Sequence, residues 1–114
     1  MKTGMLWFLK YKFIFLAIAM ALLATWPLFH AGLMPTHDGE YHLIRFYEFD
    51  KILREGILYP RWAPDLLYGY GIPLFTYIYP LPNYVASFLH LFGASFLDSV
   101  KLNMAAATFS GAIF

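Results

Sequence analysis

The chain has 114 residues, of which 61% are hydrophobic, 21% aromatic and 13% charged, with a net charge of +1 and no cysteine. A soluble domain carries about a quarter charged residues, so the composition argues for lipid as the solvent. The near-zero net charge leaves no bulk electrostatic case for nucleic acid, and the lack of cysteine excludes disulfides and thiolate metal sites.

Residues 1–12 form a short basic N-terminus with lysines at 2, 10 and 12. From Phe13 to Phe29 no side chain is charged, and the span 13–30 is predicted to be the first transmembrane helix. Those 17 residues reach roughly 26 Å, slightly short of the hydrocarbon core, and Tyr11, Lys12 and His30 extend them. Trp7 and Trp26 sit where aromatic anchors are expected, and Pro27 falls where it would kink or end the helix. The rival reading is a cleaved signal peptide. It requires small residues at the cut, and cleavage after Ala31 would put bulky Phe29 at the outer position. Three lysines and no acid precede the helix, whereas residues 31–70 carry four basic and six acidic side chains. Positive residues stay inside, so the N-terminus is cytoplasmic and residues 31–73 form an extracytoplasmic loop.

Within that loop, residues 38–55 read as an amphipathic helix, with His42, Phe46, Phe49 and Leu53 on one stripe. Glu40, Glu48, Lys51 and Glu55 fall on the other side, where Ile44 is out of place, and Gly56 is suited to end the helix. The stretch "ILYPRWAPDLLYGYGIP" predicts an ordered, aromatic-rich loop, with a short helix from Pro64 and Asp65 to Gly69. Residues 74–92 predict a second transmembrane helix, broken early by Pro80 and Pro82. Residues 93–99 then predict a cytoplasmic turn, and 100–114 the start of a third, truncated transmembrane helix, with Lys101 fitting a return to the cytoplasm. The fold class expected is an all-α membrane protein, and the run ending at Phe114 reads as the N-terminal piece of a longer polypeptide. A complete small membrane protein is the other reading.

The chemistry concentrates in "MPTHDGEYHLIRFYE", just past the first span. Asp38 and His42 are four apart, hence neighbours on a helix face. The carboxylates of Asp38 and Glu40 can bind a divalent cation or deprotonate a hydroxyl, and His37 and His42 can add a ligand or contact a phosphate. A helix N-terminus also favours a phosphorylated ligand. The plain alternative is that Asp38 is an N-cap, Glu40 a favourable first-turn acid and both histidines interfacial. Arg45, Arg54 and Arg61 invite phosphate binding; Arg61, in a proline-bounded turn beside Trp62, is the best candidate, and Arg54 is the one expected to pair with an acid or a lipid headgroup. His90 lies in the second apolar segment near its end. The tyrosines at 68, 70, 77 and 79 read as an aromatic belt rather than a sugar-stacking platform.

Residues 36–93, through HDG-x-YH, PRWAPDL and GYG-x-PLF, resemble the start of the large bacterial and archaeal membrane proteins labelled "6-pyruvoyl-tetrahydropterin synthase-related". That family in turn looks like a relative of GT-C-type glycosyltransferases. The resemblance implies a polytopic plasma-membrane enzyme taking sugars from a polyprenyl-phosphate donor outside the cytoplasm. Asp38 would be its base or metal-binding carboxylate and Glu40 its support, with magnesium or manganese as the ion. His37 and His42 would line the donor site, Arg61 would hold donor phosphate, and Trp62 beside it would complete the substrate-binding set. The competing class is a non-enzymatic membrane protein, a polymer or lipid transporter or a structural partner.

Overall fold

The computed structural model describes residues 2–33 and 35–114, with side chains from residue 11 onward. The side chains of Trp7, the expected anchor, and of Lys2 and Lys10 lie outside what is described. Five helices follow in order: α1 Lys2–Thr25, α2 Gly39–Arg54, α3 Leu74–Tyr77, α4 Leu81–Leu91 and α5 Phe96–Ile113. No strand appears among the described residues, only one isolated bridge between Ala63 and Ile72. The chain is all-α.

Pro27 ends α1 as expected, because it cannot continue the hydrogen-bond ladder. The last turn tightens into a 3-10 helix over Trp26–Phe29. Tyr11–Phe29 is a helix long and apolar enough to cross a membrane, and only 17% of its apolar window is buried within the chain. Phe13, Leu16, Met20, Leu23, Trp26 and Phe29 all stand exposed. An apolar surface of that extent is not left to water in a soluble monomer. The buried side of this helix is built from small or short residues four apart, Ala21 and Thr25, followed by Leu28. Thr25 turns its hydroxyl back onto the Ala21 carbonyl at 2.8 Å, which satisfies that buried polar group within its own helix. Such a stripe lets a second backbone approach closely, and α5, with Ala105 buried, packs along it.

The other helices form a second layer in which α2 packs on α4 and α5, and α5 alone joins this layer to the long α1. Both α2 and α4 end at a glycine in the left-handed region, Gly56 (φ 92°) and Gly93 (φ 98°). At each end the two backbone N–H groups fold back in the same way: Gly56 N to Leu53 O and Ile57 N to Ile52 O, Gly93 N to His90 O and Ala94 N to Leu89 O. That pairing satisfies otherwise orphaned carbonyls. Residues 57–73 then fold over the C-terminal half of α2. Phe49, Ile52, Ala63 and Phe75 are the buried core there, with Leu66, Ile72 and Tyr84 packed around them. Reciprocal hydrogen bonds between Ala63 and Ile72, at 2.8 and 3.0 Å, close the loop. Gly71 lies under the Trp62 indole, where a Cβ would sit 2.2 Å from Nε1, so no side chain fits.

Three expectations change. No helix forms over 64–69, because Leu67 and Tyr68 take positive φ values of 51° and 58°, which break a right-handed ladder. The 74–92 segment is two pieces, α3 and α4, separated at Ile78–Pro80; the 11 residues of α4 cover roughly 16 Å, about half a hydrocarbon core. The 93–99 turn does not lie at the opposite end of α1 from the 31–73 loop. Lys101 donates from Nζ to the His30 carbonyl at 2.6 Å, and Ala94, Ser95 and Asp98 share one cavity with His30, Ala31 and Gly32. Thus α5 starts beside the end of α1 and runs back along it.

Candidate functional site at the end of the apolar helix

The HDGE motif opens α2 immediately after the loop leaving α1. Asp38 occupies the cap position, but its side chain makes no cap hydrogen bond. It meets His37 instead, at 2.9 Å from Nδ1, with both side chains largely in water. Ser95 shows what a working cap looks like: its Oγ accepts from Asp98 N at 3.1 Å and donates to Asp98 Oδ2 at 2.6 Å. The Asp38 carboxylate is therefore not spent on holding its own helix. Glu40 is exposed in the first turn of α2. Asp38 and Glu40 share no partner among the described residues, and no three His, Asp or Glu side chains gather there into a metal-binding group. Two carboxylates still suffice for magnesium or manganese when phosphate oxygens and water complete the shell.

Next to the motif lie two partly open cavities. Gly39, Thr36 and His42 line a cavity of about 30 Å³ together with Leu28, Lys101 and Met104. His42 also lines a cavity of about 180 Å³ between α2, α4 and α5, with Arg45, Tyr79, Asn83 and Asn103 among its walls. His42 stands between the two. The stripe predicted for α2 is buried at Phe46 and Phe49, while at His42 the same face borders cavities rather than packed side chains.

Arg61 and Trp62 lie elsewhere. The Arg61 carbonyl accepts from Phe75 N at 3.2 Å, which sets it at the level of Phe49, about 16 Å along α2 from Asp38. The Arg61 guanidinium lies 5.4 Å from the Tyr59 ring centroid, and Trp62 covers Gly71. So His37, Asp38, Glu40 and His42 come together at one end of α2, and Arg61 and Trp62 at the other. Arg54 pairs with an acid, Asp50, at 2.7 Å.

Two buried acids escaped the sequence reading. Glu48, placed on the polar side, is 2% exposed, and Asp50 is 3% exposed. The 57–73 loop covers Glu48, whose Oε2 accepts from Asp65 N at 3.3 Å, while Lys51 Nζ donates to Asp65 Oδ2 at 2.5 Å. Asp50 faces Arg54 and, at 4.0 Å, His90 Nε2. His90 Nδ1 is held by the Ala94 carbonyl at 2.7 Å, and its ring lies 4.0 Å from that of Phe96. No local signal marks these acids, because a loop 17 residues downstream buries Glu48.

Burial holds the Glu48 carboxyl above its ordinary 4.5, whereas the hydrogen bond from Lys51 holds Asp65 below its ordinary 3.8. The signs are opposite. A raised acid binds its proton more tightly when folded, so Glu48 subtracts stability as pH climbs from 4.5 through its folded value; the Asp65 contribution is lost only as pH falls below 3.8. Glu48→Gln is therefore expected to gain stability relative to the parent as pH rises from 4.5 to 7. Denaturation midpoints across that range in detergent check this, and parallel curves for the two proteins would refute it.

No family model matches the chain, and no solved structure matches it. A curated protein of Lactococcus lactis subsp. cremoris, described as an uncharacterized protein, is 28% identical over 109 residues. The match covers 94% of this chain and 18% of that protein, so the chain spans less than a fifth of the relative's length.

Proposed function

We propose that the chain is the N-terminal part of a polytopic membrane protein that transfers a sugar from a polyprenyl-phosphate donor on the outer face of a bacterial or archaeal plasma membrane. In this reading the N-terminus is cytoplasmic and α1 and α5 are two spans side by side. The charged residues of α5, Asp98 and Lys101, fall within its first six positions, and Leu102 to Phe114 carries none, which suits a helix entering lipid from the water boundary. The observation that carries the functional reading is the position of the HDGE motif: both carboxylates are exposed beside the end of an apolar helix, Asp38 meeting His37 rather than capping α2, and Gly39 and His42 line the cavities next to them. A lipid-linked phosphate presents its sugar at that depth. The resemblance of residues 36–93 to GT-C-like proteins points the same way.

Asp38 acts as the base. Its carboxylate takes the proton of the acceptor hydroxyl as that oxygen bonds to the anomeric carbon; the bond from that carbon to the donor phosphate breaks, and the lipid phosphate leaves with the electron pair. Inversion follows from attack opposite the leaving group. Magnesium or manganese, held by Asp38 and Glu40, would neutralise charge on that phosphate. In the full-length protein, Asp38→Asn is expected to leave helical content unchanged and to lower transfer by about 10²–10⁴-fold, measured with a labelled polyprenyl-phosphate sugar. Unchanged transfer removes the assignment. The second reading is a non-enzymatic membrane protein, a lipid or polymer transporter or a structural partner, which would tolerate Asp38→Asn and respond instead to changes on the stripe of Phe46, Phe49 and Leu53.

A further inference from the structure

The joint between α3 and α4, at Ile78–Pro80, reaches from the second layer back towards α1. Asn103 Nδ2 of α5 donates to the Pro82 carbonyl at 2.8 Å, and Tyr79 shares a cavity wall with Met104 and Ala107. Lys101 marks where α5 passes the end of α1, through its bond to the His30 carbonyl, and Leu28 shares a cavity wall with Lys101 and Met104. From Lys101 to Ala107 is about 9 Å along the helix, over which α5 packs on α1. The joint therefore lies level with the last apolar turns of α1.

Its outward surface is aromatic and apolar. Tyr77, Tyr79 and Leu81 are 82%, 75% and 69% exposed, and no Asp, Glu, Lys or Arg occurs from Leu66 to Leu97. Tyrosine joins an apolar ring to a polar tip, which suits the boundary between headgroups and acyl chains. The backbone is prepared for the same place. A helix start is costly in lipid, because its first N–H groups lack partners. Here Pro80 and Pro82 carry no N–H, that of Asn83 donates to the Pro80 carbonyl at 3.0 Å, and Asn103 occupies the Pro82 carbonyl. The turn that holds Tyr68 and Tyr70 is different. It follows Asp65, whose side chain is 51% exposed and paired with Lys51, and it curls back through Tyr70 N to Leu67 O and Gly71 N to Leu66 O. That places it beside charge in water.

We propose that the Tyr77–Leu81 joint is an interfacial anchor, set into the headgroup region of the outer leaflet beside α5, while Tyr68 and Tyr70 stay in water. The four tyrosines then do not form one belt. The anchor rests on the reading of α1 and α5 as two spans. Phe75 and Tyr84 flank the joint and both pack edge to face on Phe49 of α2. Through them the anchor sets the depth of α2, and with it that of the HDGE motif.

The test places single cysteines in a full-length protein freed of other cysteines, labels each with an environment-sensitive fluorophore and reconstitutes it in phosphatidylcholine liposomes. The positions are Tyr77→Cys and Leu81→Cys in the joint, Leu23→Cys in α1, and Tyr68→Cys and Glu55→Cys as water-side controls. All five are exposed, and each variant is expected to keep the parent's circular dichroism. At the depth of an interfacial anchor, about 5–10 Å, the two joint labels are expected to lose roughly half their emission to lipid brominated high in its acyl chains and little to aqueous iodide. Leu23→Cys should also respond to brominated lipid, and Tyr68→Cys and Glu55→Cys to iodide alone. Joint labels quenched by iodide, with Leu23→Cys still quenched by lipid, overturn the anchor and leave the spans standing. Leu23→Cys quenched by iodide overturns the spans themselves. Joint labels shielded from both quenchers show that protein covers the surface, and overturn the anchor. Tyr68→Cys quenched by lipid overturns the division between the two tyrosine pairs.

Discussion

Replacing Phe49 by alanine will destabilise the fold by about 3–5 kcal/mol, the range for truncating a fully buried aromatic. The ring is 0% exposed and is the point at which four parts of the chain meet. Its centroid lies 5.1 Å from Phe75 and 4.9 Å from Tyr84, edge to face in both cases, the geometry aromatic pairs prefer. Phe75 belongs to α3 and Tyr84 to α4, while Ala63 of the covering loop completes the cluster. Tyr84 reaches on to the Leu58 carbonyl at 2.5 Å, so the loop's entry is tied to the same cluster. Few neighbours can relax into the space, because α2 is covered here by both the loop and α4. Urea midpoints in mild detergent measure the loss, with Ile44→Ala as the control. Ile44 is on the same helix, 44% exposed, and is expected to change stability by within about 0.5 kcal/mol. Equal small effects at both positions would show that the Phe49 cluster does not hold the loop.

What the sequence disclosed about this fold was local. Pro27 stops α1 and Gly56 stops α2 for reasons contained in a single turn, and the Phe46–Phe49 stripe follows from helical period alone. Glu48 and Asp50 read as solvated because the period puts Glu48 opposite the stripe; their burial needs a loop whose path is set by pairing between Ala63 and Ile72. The split at Ile78–Pro80 has a visible cause in Pro80 and Pro82, yet the apolar run continues through them, and hydropathy alone reads it as one span. The four-residue spacing of Ala21 and Thr25 gains its meaning only from the structure, where α5 packs along α1 and both residues are buried. Among the arginines, the proline-bounded turn around Arg61 is visible in the sequence, whereas the cavity wall that holds Arg45 exists only once α4 and α5 are in place. At the HDGE motif the order of residues located the exposed end of α2, and the cavities behind it are a tertiary product.

The placement of residues 93–95 yields an all-or-none expectation. A span over 74–92 would carry them to the cytoplasmic face, opposite residues 31–38. The structure instead lines one cavity of about 580 Å³ with Ala31, Gly32, Ala94 and Ser95, and ties Lys101 to His30. Bringing those ends together needs no second crossing within 74–92, because α3 and α4 lie in the layer beyond the end of α1. These 114 residues contribute no cysteine, so any cysteine elsewhere in the full-length protein is replaced by serine and the cysteine-free parent serves as the labelling blank. Ala31→Cys and Ala94→Cys, each in the full-length protein in intact cells, are both expected to react with a membrane-impermeant maleimide. Lys12→Cys, at the other end of the apolar stretch, is expected to react only after permeabilisation. Should Ala94→Cys behave like Lys12→Cys, then α4 crosses the bilayer despite its length, and the pairing of α5 with α1 would have to be abandoned together with the cavity that depends on it.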